Sequence, residues 1–195
     1  MVDAVNRSRS IPLFKLLGVV DSSPSRSNLE LLGQMGVPWL GGEAEWLESA
    51  PRANFLIGVG SPGVRERIAR LFGDAGLTAA TVIHPSATVG SLSTIAAGSV
   101  VCAGVQISTN VSLGRHVHIN PSATIGHDSI VGDFVSINPG AIVSGNVTVG
   151  TGALIGAGAV VLQGLAVGQQ SVVGASACVV RSVAPSATVK GVPAR

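Results

Sequence analysis

Ile119-Asn120-Pro121-Ser122-Ala123-Thr124-Ile125-Gly126-His127-Asp128-Ser129-Ile130-Val131 carries two full turns of a six-residue rule. The rule extends without a slip from Ile83 to Val179, through Val89, Ile95, Val101, Ile107 and Leu113 on one side and Ile137, Val143, Val149, Ile155, Val161, Val167 and Val173 on the other. Every one is Ile, Val or Leu. Four residues after each stands another inward-sized residue, among them Ala87, Ser93, Ser99, Val105, Ala123, Ser129, Ala141, Ala177 and Val183, and none in the set is charged.

A helix of period ~3.6 cannot keep every sixth residue on one side, and a plain strand of period two would bury more positions than this pattern supplies. The chain must therefore turn a corner every six residues. The β-branched residue and the small residue face in, the position between them faces out, and Gly, Asn or Pro, as at Gly126, Asn138 and Pro139, take the bend. Three sides close a triangular coil of 18 residues, and stacked coils pair backbone to backbone at about 4.8 Å. The expected fold is mainly β: a parallel β-helix of five to six coils whose apolar ladder is buried only against the coils above and below.

With 195 residues, one or two domains are expected, and 46% hydrophobic residues with a mean hydropathy of +0.53 are enough to bury a substantial core. Val, Ala and Ile are spread through the repeat, and no apolar run is long enough to span a bilayer, so a soluble protein without a membrane partner is expected. A net charge of +2 with 11% charged residues gives no basis for nucleic acid as a partner. Arg7 and Arg9 precede an apolar run from Ile11 to Val20 as in a secretory signal, but Lys15 interrupts it. Asp21-Ser22-Ser23-Pro24 then stands where a cleavage site belongs, so a buried strand ending at a polar turn is the better reading. Cys102 and Cys178 fall four coils apart, about 19 Å against the roughly 7 Å limit of a disulfide, and read as free packing thiols of a cytoplasmic protein.

Residues 1–79 lack the hexad. Strands are expected at Lys15 to Val20, Val37 to Leu40 and Asn54 to Val59, and helices at Asn28 to Met35, Ala44 to Glu48 and Val64 to Phe72, the rhythm of a small α/β domain. Gly58-Val59-Gly60-Ser61-Pro62-Gly63 fits a phosphate-binding Gly loop between a strand and a helix. A nicotinamide site would want an acidic residue about 20 positions on, and Leu77 to Thr81 supplies none. A substrate-binding loop and a plain tight turn remain beside that reading.

Gly18-Val19-Val20-Asp21, Ile57-Gly58-Val59-Gly60 with Arg65, Ile83-His84-Pro85-Ser86-Ala87, Ile125-Gly126-His127-Asp128 and the ending Gly191-Val192-Pro193-Ala194-Arg195 together resemble one family. It is the bacterial sugar acetyltransferases of the hexapeptide-repeat superfamily, which includes sialic acid O-acetyltransferases and N-acetyltransferases of nucleotide-linked 4-amino sugars. The resemblance implies a left-handed parallel β-helix over 80–195, preceded over 1–79 by a small α/β sugar-nucleotide domain. It implies a homotrimer that takes acetyl-CoA between neighbouring prisms, with no metal. Residue by residue, it places Ser136, Gly145, Ala157 and Ala175 along the coenzyme, Arg181, Lys190 and Arg195 near its phosphates, and Asp21, Ser22 and Gly60 on the nucleotide sugar. Family members begin with a strand, a Gly-rich loop and a helix; here Val2-Asp3-Ala4-Val5 reads as the middle of that helix, and half of the sugar-nucleotide pocket is expected to be missing.

His127 and Asp128 fall on a corner and point away from the interior. Acetyl transfer from a thioester needs a base for the attacking amine or hydroxyl, imidazole titrates in the useful range, and an adjacent carboxylate can orient the ring. The 18-residue period puts Gly145 directly above His127, leaving room for a thioester beside the base. The family's usual second His is replaced by Ser136. His84 reads as a structural turn, and His116 and His118 as outward residues suited to a subunit contact. Two other classes compete: a metal enzyme similar to the β-helical carbonic anhydrases, against which no two of the four histidines are 18 or 36 residues apart, and a non-catalytic β-helix scaffold.

Overall fold

From Leu92 to Ser176 every sixth residue has positive φ, the left-handed region that closes a tight corner. Glycine holds the position where it can, as at Gly98 and Gly152, but Leu92, His116 and Phe134 also adopt it, at 62°, 54° and 59°. Such bulky residues enter that region only when their surroundings hold them there. The computed structural model, which describes residues 1–7, 13–48 and 53–195, has the corners joined by two-residue parallel strands, each formed by the outward residue and the following inward Ile, Val or Leu.

The strands stack into three sheets that make the walls of a left-handed β-helix of about six turns. The first sheet runs through Val82, Val100, His118, Ser136, Leu154, Val172 and Thr188. The second runs through Thr88, Gln106, Thr124, Ile142, Val160 and Cys178. The third runs through Thr94, Ser112, Ile130, Thr148 and Ala166. Partners are 18 residues apart until the last coil, where Val167 meets Val183 and Val173 meets Val189, a step of 16. Inside, Val101, Ile119, Ile125, Ile137, Ile155 and Val173 are fully buried, with Ala123, Ala141, Ala153 and Ala159 between them. Where the second residue is Ser, its hydroxyl is bonded to backbone: Ser129 Oγ donates to Ser144 O and accepts from Val147 N.

The first coil is less covered, with Ile83 and Val89 exposed. Helix α1 (Val2–Arg7) lies against Val82–Ile83 there and buries Val5 completely, closing that end of the prism.

The α/β part has fewer strand residues than its sequence suggests. Helix α2 (Arg26–Gln34) begins at Ser25, whose hydroxyl accepts from Asn28 N, and α3 (Glu43–Glu48) and α4 (Pro62–Asp74) follow. The strand expected at Lys15 to Val20 reduces to one bridge, Val19 to Trp39, which is also all of the strand expected at Val37 to Leu40. The run beginning at Ile11 starts outside the described residues, as does Arg9. Strand β1 is only Asn54–Phe55, paired in parallel with β2 (Thr78–Ala79). Trp46, Phe55, Ile57, Ala69 and Phe72 form a small core that Phe134 of the β-helix completes.

Candidate active site

His127 and Asp128 take the corner between the second and third sheets, between Thr124–Ile125 and Ile130–Val131. Asp128 has φ +59°, which turns its side chain back toward the preceding ring. Asp128 Oδ2 lies 2.7 Å from His127 Nδ1, and both side chains are about half exposed, at 53% and 52%. Asp128 Oδ1 accepts a second bond, at 2.7 Å, from Asn110 Nδ2 one coil below. These two bonds, Asn110 first and His127 second, hold the Asp128 carboxyl below its ordinary range.

Gly145 lies over His127 as the period requires, but the space is already filled. A Cβ on Gly145 would stand 2.5 Å from His127 Nε2 and 2.7 Å from Cε1, so the glycine makes room for the imidazole itself. The ring is held by Asp128 at Nδ1 and packs under Gly145 on its Nε2 side, and the corner is open to solvent on its outer side. An imidazole held in this way can act chemically as a base.

The other expected site residues do not gather around it. Ala157 and Ala175 are exposed, but on the corner between the first and second sheets, a different edge of the prism. Ser136 is 2% exposed, on the first sheet. Its hydroxyl donates to Gly60 O and accepts from Arg65 Nη2, so it has no free side for a coenzyme within this chain and instead ties the α/β part to the β-helix. Asp21 borders a depression of about 240 Å³ with Val19, Asn28, Leu31 and Met35. Its Oδ1 accepts from Ser23 N, and the neighbouring Ser22 holds the Glu43 carboxyl below its ordinary range. Gly58, Gly60 and Gly63 have no positive φ, and among the described residues a Cβ there would meet no atom, so neither tight turning nor packing against those residues demands glycine.

Sequence reasoning did not find the Arg65 anchor. Arg65 is fully buried, and its guanidinium donates to His116 O, Val59 O, Gly60 O, Phe134 O, Val135 O and Ser136 Oγ. The signal was present: Arg65 shares the apolar stripe of α4 with Ile68, Ala69 and Phe72 at helical spacing.

His116 and His118 are not outward subunit contacts. Each is 7% exposed beneath the α/β part, and the His116 ring is stacked between Phe134, at 5.3 Å, and Phe55, at 6.0 Å. Among the described residues His116 Nδ1 and His118 Nε2 meet no hydrogen-bond partner. Burial, then Arg115 and Arg65, lower the titration of His116 against a smaller pull from Asp133. Burial, then Arg65, push His118 from 6.5 to about 4, the Ile57 backbone opposing. A folded-state value below the unfolded one means that the unfolded chain binds the extra proton, so this stability is complete above 6.5 and lost as pH falls toward 4. Urea denaturation should give a loss of about 3 kcal/mol over that window from His118. His118→Gln should flatten the profile; an unchanged slope would remove His118 as its source.

Among the described residues no group of three His, Cys, Asp or Glu side chains could hold a metal ion, Cys102 and Cys178 are unpaired, and no helix is long and apolar enough to cross a membrane.

Residues 128–163 match the family model described as bacterial transferase hexapeptide (six repeats). A curated GDP-perosamine N-acetyltransferase of Escherichia coli O157:H7 is 34% identical over 80 residues, which are 41% of this chain but only 36% of that relative's length. Perosamine N-acetyltransferase from Caulobacter crescentus, solved in complex with CoA and GDP-perosamine, is 31% identical with a TM-score of 0.82, over 91% of this chain and 83% of that one. The acetyltransferase domain of PglB from Neisseria gonorrhoeae is 34% identical with a TM-score of 0.79, over 82% and 79% of the two chains.

Proposed function

Since this chain belongs to the sugar acetyltransferases of the hexapeptide-repeat superfamily, we propose that it transfers acetyl from acetyl-CoA to the amino group of a nucleotide-linked amino sugar. His127 is the general base and Asp128 orients it. The observation that carries the reading is the 2.7 Å pairing of Asp128 Oδ2 with His127 Nδ1, which leaves Nε2 as the proton acceptor at an open corner. The acceptor nitrogen attacks the thioester carbonyl carbon, the C–N bond forms and the C–S bond breaks. Nε2 takes the proton from the nitrogen and returns it to the departing thiolate. The small exposed side chains of Ala157 and Ala175, aligned one coil apart, suit a long coenzyme lying along the prism, and Arg181, Lys190 and Arg195 are its candidate phosphate partners.

The α/β part supplies the acceptor contacts, through Asp21 beside its depression and the bare backbone of the loop at Gly60, ahead of the α4 N-terminus. Ser22, next to Asp21 in the chain, is a further candidate contact. That loop sits on the first sheet through Ser136, whereas His127 lies at the edge between the other two sheets. A sugar held by one copy therefore meets the His127 of a neighbour, which supports a homotrimer with shared sites. The two proposed substrates favour a reaction in the cytoplasm.

The test is release of free coenzyme A from acetyl-CoA by the purified chain, with GDP-, UDP- and dTDP-linked 4-amino sugars supplied in turn. Acetyl-CoA binding with no acceptor-dependent release across the set would sink the reading. In the same assay Gly145→Ala should lower kcat about a hundredfold, because the added methyl must displace the imidazole by roughly an ångström. Unchanged kcat would mean that the ring position does not matter.

A further inference from the structure

Asn110 lies 18 residues before Asp128, in the same corner position one coil below, and both hold positive φ, 56° and 59°. The coil backbones are locked together there, since Asp128 N donates to Thr109 O at 3.1 Å. The two side chains are thus held in register by the ladder. A half-exposed carboxylate on a corner would otherwise turn among rotamers that do not face its neighbour's ring. Here both oxygens are assigned, Oδ1 to Asn110 Nδ2 at 2.7 Å and Oδ2 to His127 Nδ1 at 2.7 Å.

We propose that Asn110 is a positioning residue of the reaction: by holding Asp128 Oδ1 it keeps Oδ2 on His127 Nδ1, which fixes the ring proton at Nδ1 and the lone pair at Nε2. An amide suits this place better than a basic side chain. It donates one bond without adding a charge, and so leaves the carboxylate's full charge to stabilise the imidazolium that forms during turnover. Asn also tolerates the left-handed backbone at this corner. The inference rests on His127 being the base, so its test has a readout independent of turnover.

Asn110→Gly removes the amide while accepting positive φ freely, and Asn110→Asp sets a second carboxylate against Asp128. Nitrogen-15 NMR of the His127 imidazole should give a single tautomer, protonated at Nδ1, in the unsubstituted protein and a mixture in Asn110→Gly. In acetyl transfer, Asn110→Gly should lower kcat about tenfold with KM for acetyl-CoA unchanged, and Asn110→Asp should move the acid limb of the pH–rate profile, set by the His127 base, to higher pH. An Asn110→Gly protein that keeps the His127 tautomer overturns the proposal, whether kcat is retained or lost. A tautomer that shifts in a protein without acetyl transfer upholds the positioning role and overturns the proposed reaction instead.

Discussion

His127→Ala is expected to lower kcat for acetyl transfer about a thousandfold, inside the roughly 10²–10⁴ range of a lost general base, and to leave the protein folded. The two halves of that expectation have separate grounds. The catalytic half rests on the ring's two nitrogens: Nδ1 is tied to Asp128 and Nε2 lies at the open corner beside Gly145, and no other imidazole can substitute, since His116 and His118 are buried beneath the α/β part and His84 is bonded to Ser86. The folding half rests on exposure. The His127 side chain is 53% exposed and outside the ladder of inward residues, so its removal should change stability by no more than about 0.5 kcal/mol. The KM for acetyl-CoA should stay within about threefold, because the coenzyme's contacts are assigned elsewhere. Retention of kcat within roughly threefold would remove His127 from the chemistry. A fall in kcat accompanied by a lower melting temperature would make the loss structural.

The β-helix was legible because one local rule repeats for a hundred residues and each repeat is satisfied by its neighbours. The same rule placed Gly145 over His127 from numbering alone, and applied downward it would have placed Asn110 under Asp128 as well. What it could not give was occupancy: whether the space above a glycine holds a ligand or the protein's own ring depends on a rotamer, and at Gly145 the imidazole takes it. The outward positions were misread for a related reason. Periodicity separates inside from outside the prism, but it does not say what covers the outside. Ser136, His116 and His118 point out of the β-helix as expected and are buried all the same, because the α/β part lies over them. Pattern is weakest in that part, where contacts with the prism replace most of the expected strand pairing and Val19 and Trp39 are left with a single bridge.

Arg65→Met is expected to cost about 3–5 kcal/mol, the largest stability effect of any single change in the α/β part. Arg65 is a fully buried cation that, among the described residues, has no carboxylate partner; burial pushes its pKa down to about 10, so it remains charged near neutrality. Its charge is met by carbonyl dipoles from both parts of the molecule, Val59 O and Gly60 O on the α/β side and His116 O, Phe134 O and Val135 O on the β-helix. Methionine keeps much of the volume but leaves Val59 O, His116 O and Phe134 O without the guanidinium donor, at about 1–3 kcal/mol for each that water cannot reach, while Gly60 O keeps Ser136 Oγ and Val135 O keeps His118 N. Lysine should recover only part of the loss, since one ammonium cannot spread over the arc that the planar guanidinium spans. The damage should be local. Trp46, packed 5.6 Å from Phe72 in the core that Phe134 completes, should lose its buried fluorescence at lower urea than the β-sheet circular dichroism signal, separating two transitions. Because the same guanidinium holds the Gly60 loop on Ser136, the KM for the nucleotide sugar should rise while acetyl-CoA binding is kept. An Arg65→Met protein within about 1 kcal/mol of the parent, or one whose KM rises equally for both substrates, would mean that the anchor neither docks the α/β part nor shapes the acceptor loop.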